Sequence, residues 1–281
     1  MIEQYLHGLE VPKDELTALE RTTLYAQGKE VDRIPCSLDT GETMAPLMGM
    51  SIDKYYHSAE MMCDLQEHFH SDSAGLSTTL RGMAEAMGSE IRYFDNNISQ
   101  LAKPAIKSLK DIDSAKLVDV DKDGRLPIIL KGLQMVKEKL GKTVPISASV
   151  TGPFTIAAMV MGTEHLMIGM IKAPEKIHQL LDVIVENNNR YIKRVIDMGI
   201  GIGFCDPVSS TSLINEKQYK EFSLPYLQKN IDFIRSQGAG CGLHICGTSR
   251  KIWEDLRDTG ISGFSLDNCE SLIEAKEVLG D

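Results

Sequence analysis

The sequence has no run of about 18 apolar residues, the length a helix needs to cross a bilayer, so no spanning helix is expected. The first stretch, MIEQYLHGLEVPKDELTALERTT, is charged and helical in pattern and lacks the apolar core of a signal peptide. A helical extension over residues 1–30 and a cytoplasmic location are the expectations. Cysteine is scarce. The six, Cys36, Cys63, Cys205, Cys241, Cys246 and Cys269, are too few and too scattered for a disulfide framework and read as reduced thiols, mostly buried. Positive charge is in deficit: thirty Lys and Arg against forty Asp and Glu give a formal charge of −10, which argues against a nucleic-acid partner. Internal repeats, low-complexity segments and domain boundaries are also missing, so residues 1–281 read as one domain. GIGIG (199–203) is no dinucleotide fingerprint, because it precedes a strand instead of opening a helix.

What remains is an apolar-rich chain, 42% hydrophobic, in which short β-branched runs alternate with longer segments of helical period. Strands are predicted at 33–39, 74–79, 143–153, 200–207, 240–246 and 261–267. In the segment from Pro174 to Gly199, Ile177, Leu180, Leu181, Ile184, Tyr191 and Val195 fall mostly on one stripe. Residues 126–141 read the same way. A helix capped by Thr248 should bury Ile252, Trp253 and Leu256 and stop at Gly260. A long helix from Glu216 should kink at Pro225. The polar stretch 94–124 reads as an inserted hairpin or loop. Strand–helix alternation with short connections implies an α/β fold with a parallel sheet, either doubly wound or part of a (β/α)8 barrel.

Strand alternation points His244 and Cys246 of CGLHICG (241–247) the same way, with Leu243 and Ile245 opposite. At the C-terminal end of a barrel strand, an imidazole and a thiol are zinc-ligand types, and Gly247 would admit a close substrate. The competing interpretation is a chance pair in a core strand. Asp206 ends its strand just before Pro207, either on the same rim or as a turn or helix cap. Asp267 and Cys269 end the last strand, on the rim or as a turn aspartate and a half-buried thiol. Asp39 and Glu42 end the first. His57, His68 and His70 read as surface or cap residues. The methionines of AAMVMGTEHLMIGM are more often core filler than a soft lid over a flat cofactor. Polar groups gathered at one end of four strands mark the candidate site.

Several segments, in order, carry a resemblance. They are GKEVDRIPC, AEAMGSEIRY, VPISASVTGPFTIAAMVMG, FCDPVSSTSLINEKQYKEFSLPYLQKNI and LHICG. The chain resembles the uroporphyrinogen decarboxylase superfamily, and within it the cobalamin-dependent, zinc methyltransferase branch. The decarboxylases carry arginines after strand 1, whereas CSLDTGETMAPLMG has none; the methyltransferases carry His-x-Cys, which HIC supplies. The resemblance implies a TIM barrel of the (β/α)8 type. It also implies zinc on His244 and Cys246, and methyl transfer between a corrinoid (methylcobalamin) on a partner protein and a thiol such as coenzyme M, or a folate acceptor. Asp206 and Asp267 would then orient the ligands or the substrate. In the family two more strands follow, and the third zinc ligand is a cysteine near the end of the last. Here the sequence stops at Asp281, so about six of eight β/α units are expected. Cys269 is a stand-in ligand, and a homo-oligomer or second chain is one way to complete the barrel. The alternatives are a porphyrinogen-type decarboxylase and a shortened, non-catalytic corrinoid-binding paralogue.

Overall fold

The computed structural model describes residues 13–37, 59–95 and 97–280, apart from the side chains of Met61, Leu65 and His68. Helix α1 (Ala18–Ala26) opens on a capping box. Thr17 Oγ1 accepts from the Glu20 N–H, and the Glu20 carboxylate accepts from the Thr17 N–H. No strand forms over residues 33–37, contrary to the first strand prediction; residues 38 and 39 lie outside the described residues. The reason is visible in the bonding. The Cys36 N–H donates to Asp72 Oδ2 at 2.6 Å and the Cys36 carbonyl accepts from the Asp72 N–H at 2.9 Å, so a carboxylate takes the place of a ladder partner.

Helix α2 (Ala59–Phe69) leads into β1 (Ala74–Ser77). After the short α3 (Gly82–Ala86), β2 (Glu90–Arg92) and β3 (Gln100–Lys103) form an antiparallel hairpin. The hairpin overlaps the start of the polar stretch 94–124, and mostly irregular chain continues from it to α4 (Leu126–Leu140). Next come β4 (Ile146–Thr151), the buried α5 (Pro153–Met161), α6 (Thr163–Lys172) and α7 (Pro174–Asp197). The predicted stripe on α7 is buried at all six positions, each apolar side chain adding about 1.5–3 kcal/mol. β5 (Gly201–Cys205) follows. The long segment after it is α8 (Glu216–Gln218), a π-helical turn Tyr219–Ser223 and α9 (Leu224–Ser236). Pro225 has no N–H to give the Glu221 carbonyl, and the chain answers with the widened turn. β6 (Cys241–His244), α10 (Trp253–Arg257), β7 (Gly263–Ser265) and α11 (Leu272–Leu279) complete the described chain.

The strands β1-β4-β5-β6-β7 form one parallel sheet in that order, the α/β arrangement expected, with five parallel strands among the described residues where six were predicted over the chain. Register separates its two faces. Leu76, Ala148, Ile202 and Cys241 align on one side, as do Val150, Phe204, Leu243 and Phe264, and this face packs into the core. On the other side Ser77, Ser149, Gly203, Gly242 and Gly263 form one row, and Thr151, Cys205, His244 and Ser265 the next. An inner face of serine and glycine differs from the branched apolar layers that usually fill a barrel. A Cβ built on Gly203 or Gly263 meets nothing within 4 Å among the described residues.

Candidate active site

The upper inner row sets the site. Parallel pairing of β6 with β7 puts Ser265 opposite His244. His244 Nδ1 lies 3.0 Å from the Ser265 carbonyl and 3.1 Å from its hydroxyl. A carbonyl only accepts, so Nδ1 carries a proton, and in the neutral imidazole that leaves Nε2 as the acceptor. Nε2 lies 3.1 Å from Cys246 Sγ. The structure thus brings the two predicted ligands together, half-buried, with Leu243 and Ile245 buried on the opposite face. The donors suit zinc, which takes imidazole nitrogen and thiolate sulfur and whose histidines hand their second N–H to a carbonyl. Two such ligands on a tetrahedral ion sit about 3.6 Å apart, so the pair needs to open by about half an ångström. Among the described residues no three of His, Cys, Asp and Glu come together as a metal-holding group.

Gly247 follows with φ +72°, and a Cβ there would lie 2.8 Å from Ser212 Oγ and 3.1 Å from Ser210 Oγ. Both the backbone and the space require glycine. Thr248 is no helix cap. Its N–H donates to Ser212 Oγ and its hydroxyl faces those of Thr211 and Ser212, while the helix begins as a 3-10 turn at Arg250–Ile252. Ile252, Trp253 and Leu256 are buried as predicted.

Asp267 sits on the rim, but it grips backbone. Oδ2 accepts from the Gly247 N–H at 2.7 Å and Oδ1 from the Cys269 N–H at 3.1 Å. The Gly247 contact first, then that of Cys269, holds its carboxyl below the usual range. Cys269 is exposed, and desolvation followed by the neighbouring Asp267 pushes its thiol up. It joins no metal-holding group with His244 and Cys246.

Asp206 is placed behind the rim, fully buried on the helix side of β5. Helix α5 has glycine, Gly152, at its N-cap, which offers no side-chain acceptor. Asp206 supplies one from the neighbouring strand: Oδ1 accepts from the Thr155 N–H at 2.9 Å and its hydroxyl at 2.6 Å. A Cβ on Gly152 would fall 2.2–2.4 Å from the Asp206 side chain, so the borrowed cap requires that glycine. Burial pushes the Asp206 carboxyl up to about 6 against the opposing Thr155 and Phe154 contacts. The Asp206 N–H donates to the His244 carbonyl at 2.9 Å, tying this cap to the candidate ligand.

Asp39, Glu42 and His57 lie outside the described residues, as does the side chain of His68, while His70 is exposed at the end of α2. Met161 and Met170 are buried, and Met159 and Met167 pack against the core, in keeping with filler. Sequence inspection missed Ser265 and Glu270. Glu270 Oε1 accepts from the Ser249 and Arg250 N–H groups at 2.9 and 3.0 Å, and Oε2 from Ser249 Oγ at 2.6 Å. A glutamate in a polar run carries no periodic or motif signal that would have revealed this.

Comparison with known proteins gives a consistent result. Methylcobamide:CoM methyltransferase MtaA of Methanosarcina barkeri is 30% identical over 277 residues, covering 95% of this chain and 80% of the relative. Methylcobamide:CoM methyltransferase MtbA of Methanosarcina acetivorans is 28% identical over 262 residues, 90% of this chain and 77% of the relative. A solved methyltransferase from Methanosarcina mazei superposes with a TM-score of 0.82 at 28% identity, over 95% of this chain and 81% of its own. Residues 17–281 match the uroporphyrinogen decarboxylase (URO-D) family, and the chain belongs to that family.

Proposed function

We propose that this protein is a methyltransferase that moves a methyl group from a corrinoid carried on a partner protein to a thiol of the coenzyme M type, with zinc held by His244 and Cys246. The relatives' named activity supports the reaction class. The observation that carries the site assignment is the fixed His244 ring, with Nδ1 tied to Ser265 and Nε2 turned to Cys246 Sγ.

Bound zinc would supply the Lewis acidity that keeps an acceptor thiol deprotonated near neutral pH. The chain's own residues do the rest. Ser265 fixes the His244 tautomer. Gly247 lets a small substrate approach the backbone. Gly203, Gly242 and Gly263 leave room on the inner face beside the ligand pair. Asp206 acts as a positioning residue through the His244 carbonyl, and Asp267 through the Gly247 N–H. In the net reaction the thiol S–H and the donor's Co–CH3 bond break and S–CH3 forms; the proton is released, and the partner's corrinoid keeps the Co–C electron pair and leaves as the Co(I) form.

The test is metal analysis of the purified protein, with His244→Ala and Cys246→Ala, alongside methyl transfer from methylcobalamin to coenzyme M. Stoichiometric zinc that disappears in both variants together with transfer is expected. Zinc unchanged in both variants would overturn the ligand assignment. Release of carbon dioxide from a tetrapyrrole acid, with no methyl transfer, would overturn the reaction class.

A further inference from the structure

The end of β7 and the loop after it grip the end of β6 and the loop after it at successive points. Ser265 holds the His244 ring, Asp267 Oδ2 holds the Gly247 N–H, and Glu270 holds the N–H groups of Ser249 and Arg250. Trp253 locks the far end: its buried Nε1 donates to Ser249 Oγ at 2.9 Å, and that hydroxyl donates to Glu270 Oε2. Two carboxylates thus accept three backbone N–H groups across residues 247–250, immediately after the His-x-Cys pair. Such charge-assisted bonds are roughly twice as strong as neutral ones. The backbone that places Cys246 is therefore fixed from β7, the same strand that fixes the ring of His244.

We infer that Glu270, together with Asp267, is a positioning residue that presets the separation and orientation of His244 Nε2 and Cys246 Sγ. The inference rests on the proposed zinc pair for its functional meaning, but the preset geometry is a property of the metal-free chain. Glu270 touches neither ligand; it acts through Ser249 and Arg250.

The experiment compares wild type, Glu270→Ala, Glu270→Gln and Asp267→Asn. Zinc and cobalt(II) affinities are measured by competition with a chromophoric chelator, and cobalt(II) spectra report thiolate ligation. Glu270→Ala is expected to weaken zinc by about tenfold or more, as loss of an outer partner of a zinc ligand does. Glu270→Gln keeps an acceptor for the two N–H groups and should stay within about threefold of wild type. A role confined to folding would lower the unfolding temperature of Glu270→Ala and leave the affinity of the folded protein alone. Affinity within twofold of wild type in folded Glu270→Ala would overturn the inference. Should that variant fail to fold, unchanged affinity in Asp267→Asn does so, since the loss of its charge at the Gly247 N–H is expected to weaken zinc by about threefold.

NMR of the metal-free protein separates the two proposals. Wild type should show single Cys246 and His244 side-chain signals, and the weakened variants doubled or shifted Cys246 signals, with the His244 Nδ1–H held by Ser265 in all of them. If wild type binds no metal at the pair, the proposed function fails while the NMR still decides the positioning role: identical Cys246 signals in wild type and variants overturn it.

Discussion

Replacing Asp72 with alanine should destabilise the protein without touching metal binding. Asp72 is fully buried just before β1, at the end of the sheet opposite His244. Its carboxylate accepts from Arg21 Nη1 at 2.6 Å, from the Arg33 guanidinium and from the Cys36 N–H. Arg21 is itself 1% exposed, so its charge depends on such partners. Burial alone would raise the Asp72 carboxyl, but Arg33, the Cys36 N–H and Arg21 together hold it below the usual range. Breaking a buried pair costs about 3–5 kcal/mol. Arg21 keeps Asp32, and Arg33 keeps Asp14, which places the loss near the lower end, about 3 kcal/mol. For a chain of this size that is a fall in Tm of roughly 5–8 °C. The depressed acid contributes stability that is present above its unfolded pKa of about 4 and is lost as pH falls below it. The gap between wild type and variant in urea titrations should therefore be full from pH 5 to 8 and shrink towards pH 3. An Arg21→Met/Asp72→Leu double variant should cost at least about 1 kcal/mol less than the two single changes together, because neither charge is left stranded. Additive losses, or a gap that persists undiminished at pH 3, would refute the clamp as described. So would a parallel loss of zinc.

Gly152→Ala should destabilise by about 2 kcal/mol or more in urea titrations, because the new methyl meets the Asp206 carboxyl and breaks the borrowed cap of α5. Gly247→Ala should cost about 1–2 kcal/mol of backbone strain and weaken zinc binding in a chelator competition, since it displaces the chain directly after Cys246. Gly203→Val should leave thermal stability within about 1 kcal/mol, as open space surrounds that position among the described residues, while raising the KM for the thiol acceptor.

The parts of the fold visible in the sequence were those under a single periodic constraint. The stripe on α7 and the alternation of β6 follow directly from burial on one side. Pro225 announced a break because a missing N–H has local consequences; the form of the break, a π turn, depends on packing and was not visible. Residues 33–37 misled because a short extended segment with Ile34 and Cys36 looks like a strand wherever its hydrogen bonds go, and here those of Cys36 go to Asp72. That His244 and Cys246 share a face follows from strand alternation; a metal on them came only from the family resemblance. The supports of the pair were not visible. Ser265 and Glu270 meet it only through strand order and register, and Asp206 looks the same in sequence whether it lines a rim or caps a neighbouring helix.

The two-faced sheet has a consequence for how such a protein can change. The apolar core residues of the described strands lie on the side turned to the helices, so the open inner positions contribute little to packing. Substitutions at Ser149, Gly203, Gly242 and Gly263 can alter the bulk and polarity of this face one residue at a time, with the folding core left as it was. The character of that face and foldability are then separate variables along the same strands, assigned to alternate residues, and a lineage or an engineer can move one without the other.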